Sequence, residues 1–210
     1  MKTFVLLILP LALLACSEKE TDTATDDTGT EDTDTDDTAS EDTEEDTSHP
    51  DSFILEDFLE RPSGCSDFLF FDRNTDDTIV LELQGQGLAE AAHASGGAQT
   101  FTHDLAALSA DFRLEVNFGT NISYELCNDA LDPNIVRVLD TKYLPVNGRM
   151  TLTITPNGEP MGMGDFPAEL HIQIQGADFC ADTGDGSTHH ENCFNVNDYS
   201  ATASIGWLPG

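Results

Sequence analysis

Three segments of the chain alternate apolar and polar residues with a period of two, and this pattern restricts the fold more than any other feature. They cover residues 112–118, 150–154 and 168–174. A period of two places successive side chains on opposite faces of a strand, so that one face is buried. With turn residues at short spacing between such runs, residues 52–210 are predicted to form an all-β domain, an antiparallel β-sandwich of about eight strands. Only residues 87–95 have a helical pattern, which predicts at most one short helix.

The polar residues of the alternating segments are candidates for a ligand platform. They are Arg113, Glu115 and Asn117 in the first segment, and Glu169, His171, Gln173 and Gln175 in the third. Both sets are expected on the solvent-facing side of the sheet. Every sandwich has such a side, so the pattern alone does not separate a binding face from an ordinary wet surface.

Residues 17–51 form a low-complexity segment rich in Asp and Thr. The segment contains 16 acidic residues and one Lys, with no aromatic residue and no Cys. It cannot bury enough apolar surface to offset chain entropy, so we expect an extended, disordered tether. A cation-binding segment or an O-glycosylated stalk is the alternative interpretation. Residues 52–210 add 24 acidic and 6 basic residues, and this excess of negative charge argues against binding of nucleic acid or anionic lipid.

Residues 1–15 have the pattern of an export signal. Lys2 precedes an apolar run over residues 4–14, which is too short to span a bilayer as a mature helix. The ending Leu13-Leu14-Ala15-Cys16 resembles the lipobox of bacterial lipoproteins. That resemblance implies that Cys16 becomes the first mature residue and carries the lipid, so that residues 16–51 tether the domain to a membrane. Ser17 in place of Asp resembles an outer-membrane address, facing the periplasm or the cell surface.

Four cysteines follow Cys16 in the chain. An even number of cysteines outside the cytoplasm predicts two disulfides, for which three connectivities are possible. The pairing Cys180–Cys193, which closes a loop of twelve intervening residues, and Cys65–Cys127 are preferred. A catalytic or metal-binding thiol has to stay reduced, which this compartment disfavours.

The loop near residue 184 is the most suggestive candidate for a metal site. Calcium prefers six to eight oxygen ligands, and four carboxylates of this region could converge on one ion. They belong to Asp178, Asp182, Asp185 and Glu191. The spacing is not that of an EF-hand, and a solvated acidic loop between two strands is the alternative. No other cofactor is predicted.

The sequence contains none of the common enzyme signatures, such as Gly-x-Ser-x-Gly, His-Glu-x-x-His or a P-loop. With its lipobox, tether and segments 64–67, 124–129 and 206–210, the chain resembles lipoproteins without an assigned activity that are abundant in myxobacteria and their relatives. This resemblance implies no site. We therefore expect a non-enzymatic binding or structural domain whose partner is a protein or a glycan. The alternatives are a calcium-dependent adhesion or carbohydrate-binding module, and an extracytoplasmic hydrolase with carboxylates outside known motifs.

Overall fold

The structure is a computed structural model that describes residues 54–161, 164–184 and 188–207, without the side chains of residues 189–191. The described chain forms nine antiparallel strands, one α-helix and two short 3-10 helices. The strands are β1 Ser63–Cys65, β2 Leu69–Arg73, β3 Ile79–Gln84, β4 Gln99–Asp104, β5 Arg113–Thr120, β6 Val138–Pro145, β7 Arg149–Pro156, β8 Ala168–Asp182 and β9 Thr188–Ile205. The helices are α1 Leu88–Ser95 and the 3-10 helices Leu55–Asp57 and Leu105–Ala107. The predicted signal peptide, Cys16 and the tether of residues 16–51 lie outside the described residues.

All nine strands belong to one curled sheet, in the order β1-β2-β3-β5-β6-β8-β7-β4, with β9 on the free edge of β8. β6 and β7 pair one after the other with the same edge of β8. The sheet bends between them, where Gly148 and Gly176 adopt positive φ angles of 103° and 55°. A Cβ atom on Gly148 would lie 2.6 Å from the Cα of Ala177, so the bend depends on glycine.

The start of the sheet at β1 lies beside the end of β9. The N–H of Ser66, just after β1, donates to the carbonyl of Trp207 at 2.7 Å, and the N–H of Gly206 donates to the carbonyl of Ser66 at 2.8 Å. The buried apolar side chains of β2, β3, β5, β7, β8 and β9 share one core. Leu114, Leu152 and Ile172, from the three alternating segments, are all buried.

The fold class predicted from the alternation is confirmed: the described chain is all-β and antiparallel, with one short α-helix. α1 covers one end of the core with Leu88, Ala89 and Ala92. The side chain of Asp67 accepts a hydrogen bond from the N–H of Ala89 at 2.9 Å and so satisfies a backbone donor of the first turn. No helix among the described residues is long and apolar enough to span a membrane.

Candidate functional site

The open outer side of the bent sheet is one of two polar faces and the better candidate for a binding site. It is formed by β4, β7, the first half of β8 and the second half of β9, and we call it the polar platform. Its side chains are exposed or half-buried, because their apolar neighbours in each strand point into the core. Here the prediction that His171, Gln173 and their neighbours face solvent is confirmed.

The strand register arranges the platform in straight rows that cross four strands. One central row contains Thr102, Thr151, Gln173 and Ser200, and the other contains Thr100, Thr153, His171 and Thr202. The carboxylates and the one Arg lie in the flanking rows, at Asp104, Arg149, Glu169 and Asp198. Rows of this kind repeat about every 7 Å along a strand and about every 4.8 Å across strands. The platform is therefore a regular array of hydroxyl, amide and imidazole groups.

Several hydrogen-bonding side chains of the platform have no partner among the residues that the structure describes. Thr100 and Thr153 share a hydrogen bond of 3.1 Å between their Oγ1 atoms, and the Nε2 of His171 lies 2.9 Å from the Oγ of Ser200. By contrast, the side chains of Thr102 and Gln173 make no hydrogen bond to any residue that the structure describes. These donors and acceptors are available to a polar ligand that carries no net charge.

The second polar face, on the outer side of β3 and β5, is not open to solvent. Glu82 and Glu115 lie directly opposite each other in the register of these strands, and both are at least 97% buried. Asn117, next along β5, is completely buried. The expectation that Glu115 and Asn117 lie on the wet side of the sheet is therefore wrong. Residues 121–137, which we call the cover segment, pack over this face through Ile122, Leu126 and Cys127. The sequence gives residues 122–126 and 135–139 a weak strand pattern, but the structure has turns over 122–127, and β6 begins only at Val138.

The cover segment is fixed to the sheet by contacts of several kinds. Ile122 packs against Phe71 and Val80, which share the outer face with Glu82. The Oγ of Ser123 accepts a hydrogen bond from Arg73 at 2.9 Å. At the far end of the segment, Arg137 lies 3.8 Å from the Oε2 of Glu82.

A disulfide between Cys65 of β1 and Cys127 of the cover segment completes this attachment. A second disulfide joins Cys180 to Cys193, which are direct partners in the β8–β9 register. Both are the pairings that the cysteine spacing favours. The first closes a separation of 62 residues and the second one of 13.

Polar groups surround the two buried glutamates. Arg113 donates two hydrogen bonds of 2.7 Å to the carboxylate of Glu115. The amide nitrogen of Asn117 donates to Glu115 at 2.9 Å and to Glu82 at 3.4 Å, whereas its Oδ1 has no partner among the described residues. Glu82 also accepts a hydrogen bond of 2.6 Å from Gln84.

The electrostatics of the two glutamates differ because Arg113 contacts one of them directly. Burial raises the pKa of Glu82, and the negative charge of Glu115 raises it further. The hydrogen bonds to Glu115 raise the pKa of Arg113. Two carboxylates that lie close together in different environments are an arrangement that acid–base enzymes use. Here the cover segment separates them from solvent.

A third candidate is a shallow cleft of about 540 Å³ beside α1, lined in part by Glu90, His93, Glu159 and Phe166. The Nε2 of His93 lies 2.7 Å from the carbonyl oxygen of Pro167, so this nitrogen donates to the backbone. The cleft is open and its two carboxylates lie on separate elements, which gives it no organised set of reactive groups.

The predicted calcium ligands are only partly described. The carboxylate of Asp178 accepts hydrogen bonds from Asn147 at 2.6 Å and Asn195 at 2.8 Å, and Asp182 forms an ion pair of 2.6 Å with Lys142. Asp185 and the side chain of Glu191 lie outside the described residues. Within the described ranges, no group of three or more His, Cys, Asp or Glu side chains could hold a metal ion. The calcium site stays a prediction.

Sequence reasoning missed Glu82 and Arg137. Residues 79–83 form a nearly continuous apolar run that contains Glu82, and such a run, unlike an alternating one, indicates a strand that is covered on both faces. Comparison with known proteins adds no assignment, since no protein family, no curated protein and no solved structure matches the chain.

Proposed function

We propose that the protein is a membrane-anchored extracytoplasmic lipoprotein whose folded domain is a non-enzymatic binding module for a neutral, hydroxyl-rich glycan. The anchor part of this proposal is supported by the lipobox ending at Cys16, by the acidic segment 17–51, and by the two disulfides, which are typical of oxidising compartments. Ser17 in place of Asp, directly after the lipobox, favours the outer membrane.

The binding part rests on one observation, the two central rows of the polar platform. They present ordered, partly unpaired hydroxyl and amide groups without a carboxylate, on a domain that otherwise carries 24 acidic and 6 basic residues over positions 52–210. Sugar hydroxyls can both donate to and accept from such groups. An acidic polymer would be repelled by the domain, whereas a neutral polymer would not.

The central rows contain no Trp, Tyr or Phe on which a sugar ring could stack. Binding through hydrogen bonds alone exchanges water contacts for ligand contacts, so we expect low affinity for a single copy. Many copies anchored on one membrane would engage the same polymer together, and the resulting avidity compensates for the weak single site.

The binding test is an array of neutral, acidic and amino-sugar glycans probed with the Cys16→Ser chain, which lacks the proposed lipid attachment site. We expect retention on neutral glycans and at least a fivefold loss with Gln173→Arg, which places a long cationic side chain in a central row. Gln86→Arg is the control, since Gln86 is exposed outside the platform. Equal loss in both variants, or retention only on acidic glycans, would contradict the proposal.

The same array run with calcium and with a chelator tests the alternative of a calcium-dependent module. Signal that disappears in chelator and survives Gln173→Arg would favour the loop with Asp178 and Asp182 over the platform. Among the described residues, Glu82 and Glu115 are the paired carboxylates that a hydrolase could use, and their burial under the cover segment favours a structural role for this pair.

The anchor has a separate test. Cells fed a fatty acid with an alkyne tag should label the wild-type chain and leave the Cys16→Ser chain unlabelled. Labelling of both chains, or of neither while a known lipoprotein in the same cells is labelled, would exclude lipidation at Cys16. This result does not depend on the glycan array, so anchor and binding can fail independently.

A further inference from the structure

The first half of β6 is an edge strand. Residues 138–142 pair with β5 on one side, and pairing with β8 on the other side begins only at Tyr143. On that second side, residues 138–142 have no strand partner among the described residues. An edge of this kind presents backbone N–H and C=O groups that another chain can use for hydrogen bonds.

The same region carries a cluster of exposed apolar side chains. The exposed fractions are 63% for Val136, 52% for Leu131, 49% for Leu139, 45% for Val138 and 40% for Ile135. Single exposed apolar residues are ordinary, but five within nine positions beside a free strand edge are an unusual concentration of exposed apolar surface. Apolar side chains together with unpaired backbone are the two requirements for recognition of an extended peptide.

The charge around this edge indicates the chemistry of the partner. Glu125, Asp129, Asp132 and Asp140 are all exposed. The two basic residues of the region are already paired. Arg137 lies within 4.0 Å of both Glu82 and Glu125, and the Nζ of Lys142 lies 2.6 Å from a carboxylate oxygen of Asp182. The field at the edge is negative, so a partner with basic side chains between its apolar ones is favoured.

Two other candidate partners for the edge of β6 fit less well. The chain's own segment 17–51 has 16 acidic residues and one Lys and lacks the apolar side chains that this exposed apolar surface would bury. A second copy would bring together two domains that each carry 24 acidic and 6 basic residues over positions 52–210, and their like net charge opposes association. Charge repulsion of this kind is a known protection of edge strands against self-association.

We infer that the edge of β6 over residues 138–142 binds an extended segment of another protein, one that alternates apolar and basic residues, by adding it as a strand. This docking site is separate from the polar platform, and it does not depend on the proposed glycan binding. Strand addition would provide backbone hydrogen bonds, and alternate side chains of the partner would contact Val138 and its apolar neighbours.

The experiment uses a synthetic octapeptide of alternating Val and Lys, titrated into the ¹⁵N-labelled Cys16→Ser chain. We expect amide shifts concentrated in residues 136–142, binding that weakens as salt rises, and none with a Val and Glu octapeptide. Leu139→Lys should weaken binding at least tenfold, whereas Thr102→Lys on the platform should not change it. Both substitutions are at exposed positions, and thermal melting verifies that both variants fold.

Three results would overturn the inference. One is equal binding by the Leu139→Lys and wild-type chains, and another is a set of shifts on the platform rather than on β6. The third is a dimer in sedimentation experiments without peptide that Leu139→Lys dissociates, because the edge would then belong to a second copy.

Discussion

The polar platform and the covered face of β3 and β5 come from the same kind of sequence pattern and have opposite environments. In both, polar residues alternate with apolar ones that enter the core. Gln173 and Thr151 on the platform are half-buried and lie beside open solvent, whereas Glu115 and Asn117 are at least 99% buried. The alternation determines which residues share a face, but what lies over that face is determined elsewhere in the chain.

The difference in solvent exposure also determines whether polar residues on each face contribute to stability or to ligand binding. Polar groups on an open face exchange hydrogen bonds with water, so their substitution changes the free energy of unfolding little. Polar groups under a cover have lost water, and each missing partner then costs stability. We therefore expect substitutions on the covered face to act on folding and those on the platform to act on ligand binding.

The largest effect is expected from removing the disulfide that attaches the cover. In the loop-entropy account, Cys65→Ser with Cys127→Ser should lower the free energy of unfolding by about 4 kcal/mol, and Cys180→Ser with Cys193→Ser by about 3 kcal/mol. Urea unfolding measures both losses. Hydrogen exchange then separates them, because only the first pair should increase exchange in β3, β5 and residues 121–137. Equal exchange in these regions for both pairs would show that the disulfide does not hold the cover.

The second largest change in the free energy of unfolding is expected when a polar residue is replaced by Leu on the covered face rather than on the platform. Asn117→Leu removes a donor shared by Glu115 and Glu82 and should lower the free energy of unfolding by about 2 kcal/mol, since hydrogen bonds to charged groups are among the stronger ones. Gln173→Leu on the platform should change it by less than about 0.5 kcal/mol. Urea midpoints at constant m-value measure both. Similar losses would mean that the platform is also covered.

Much of the fold follows from local pattern, and much of the covered face does not. The strands β5, β7 and β8, the helix at Leu88–Ser95 and both disulfide pairings agree with the sequence reasoning. The period of two reports the core face of each strand because the apolar residues there must be buried together. It contains no information about a second layer on the opposite face.

The covering of Glu115 needed a long-range contact that no local pattern records. Residues 121–137 form no strand, although the sequence gives residues 122–126 a weak strand pattern, and they are positioned by Cys127, by Ile122 and by the ion pair of Arg137 with Glu82. The nearly continuous apolar run of β3 was the available signal. The rows of the platform, in turn, depend on register, which is determined by the bend at Gly148 and Gly176 and by strand pairing.

The smallest expected change in the free energy of unfolding comes from the two buried glutamates and depends on pH. Because burial and the charge of Glu115 raise the pKa of Glu82 above its ordinary value of 4.5, folding favours the protonated acid. The stabilising contribution of Glu82 is then present below pH 4.5 and is lost as the pH rises through the raised pKa. Burial also raises the pKa of Asp72, so the contribution of Asp72 to stability is likewise lost as the pH rises. Burial lowers the pKa of His103, so the contribution of His103 is lost as the pH falls.

Glu82→Gln should therefore increase the free energy of unfolding at pH 7 by about 1 kcal/mol, the size of a like-charge cross-strand repulsion. It should also reduce the increase in this free energy that the wild-type domain shows when the pH is lowered from 7 to 5. Urea unfolding as a function of pH measures both changes. Glu115→Gln is the matched control, and it should destabilise the domain because Arg113 loses its two hydrogen bonds to a full carboxylate. If the two variants behaved alike, the glutamates would be equivalent, and the asymmetry created by Arg113 would have no energetic consequence.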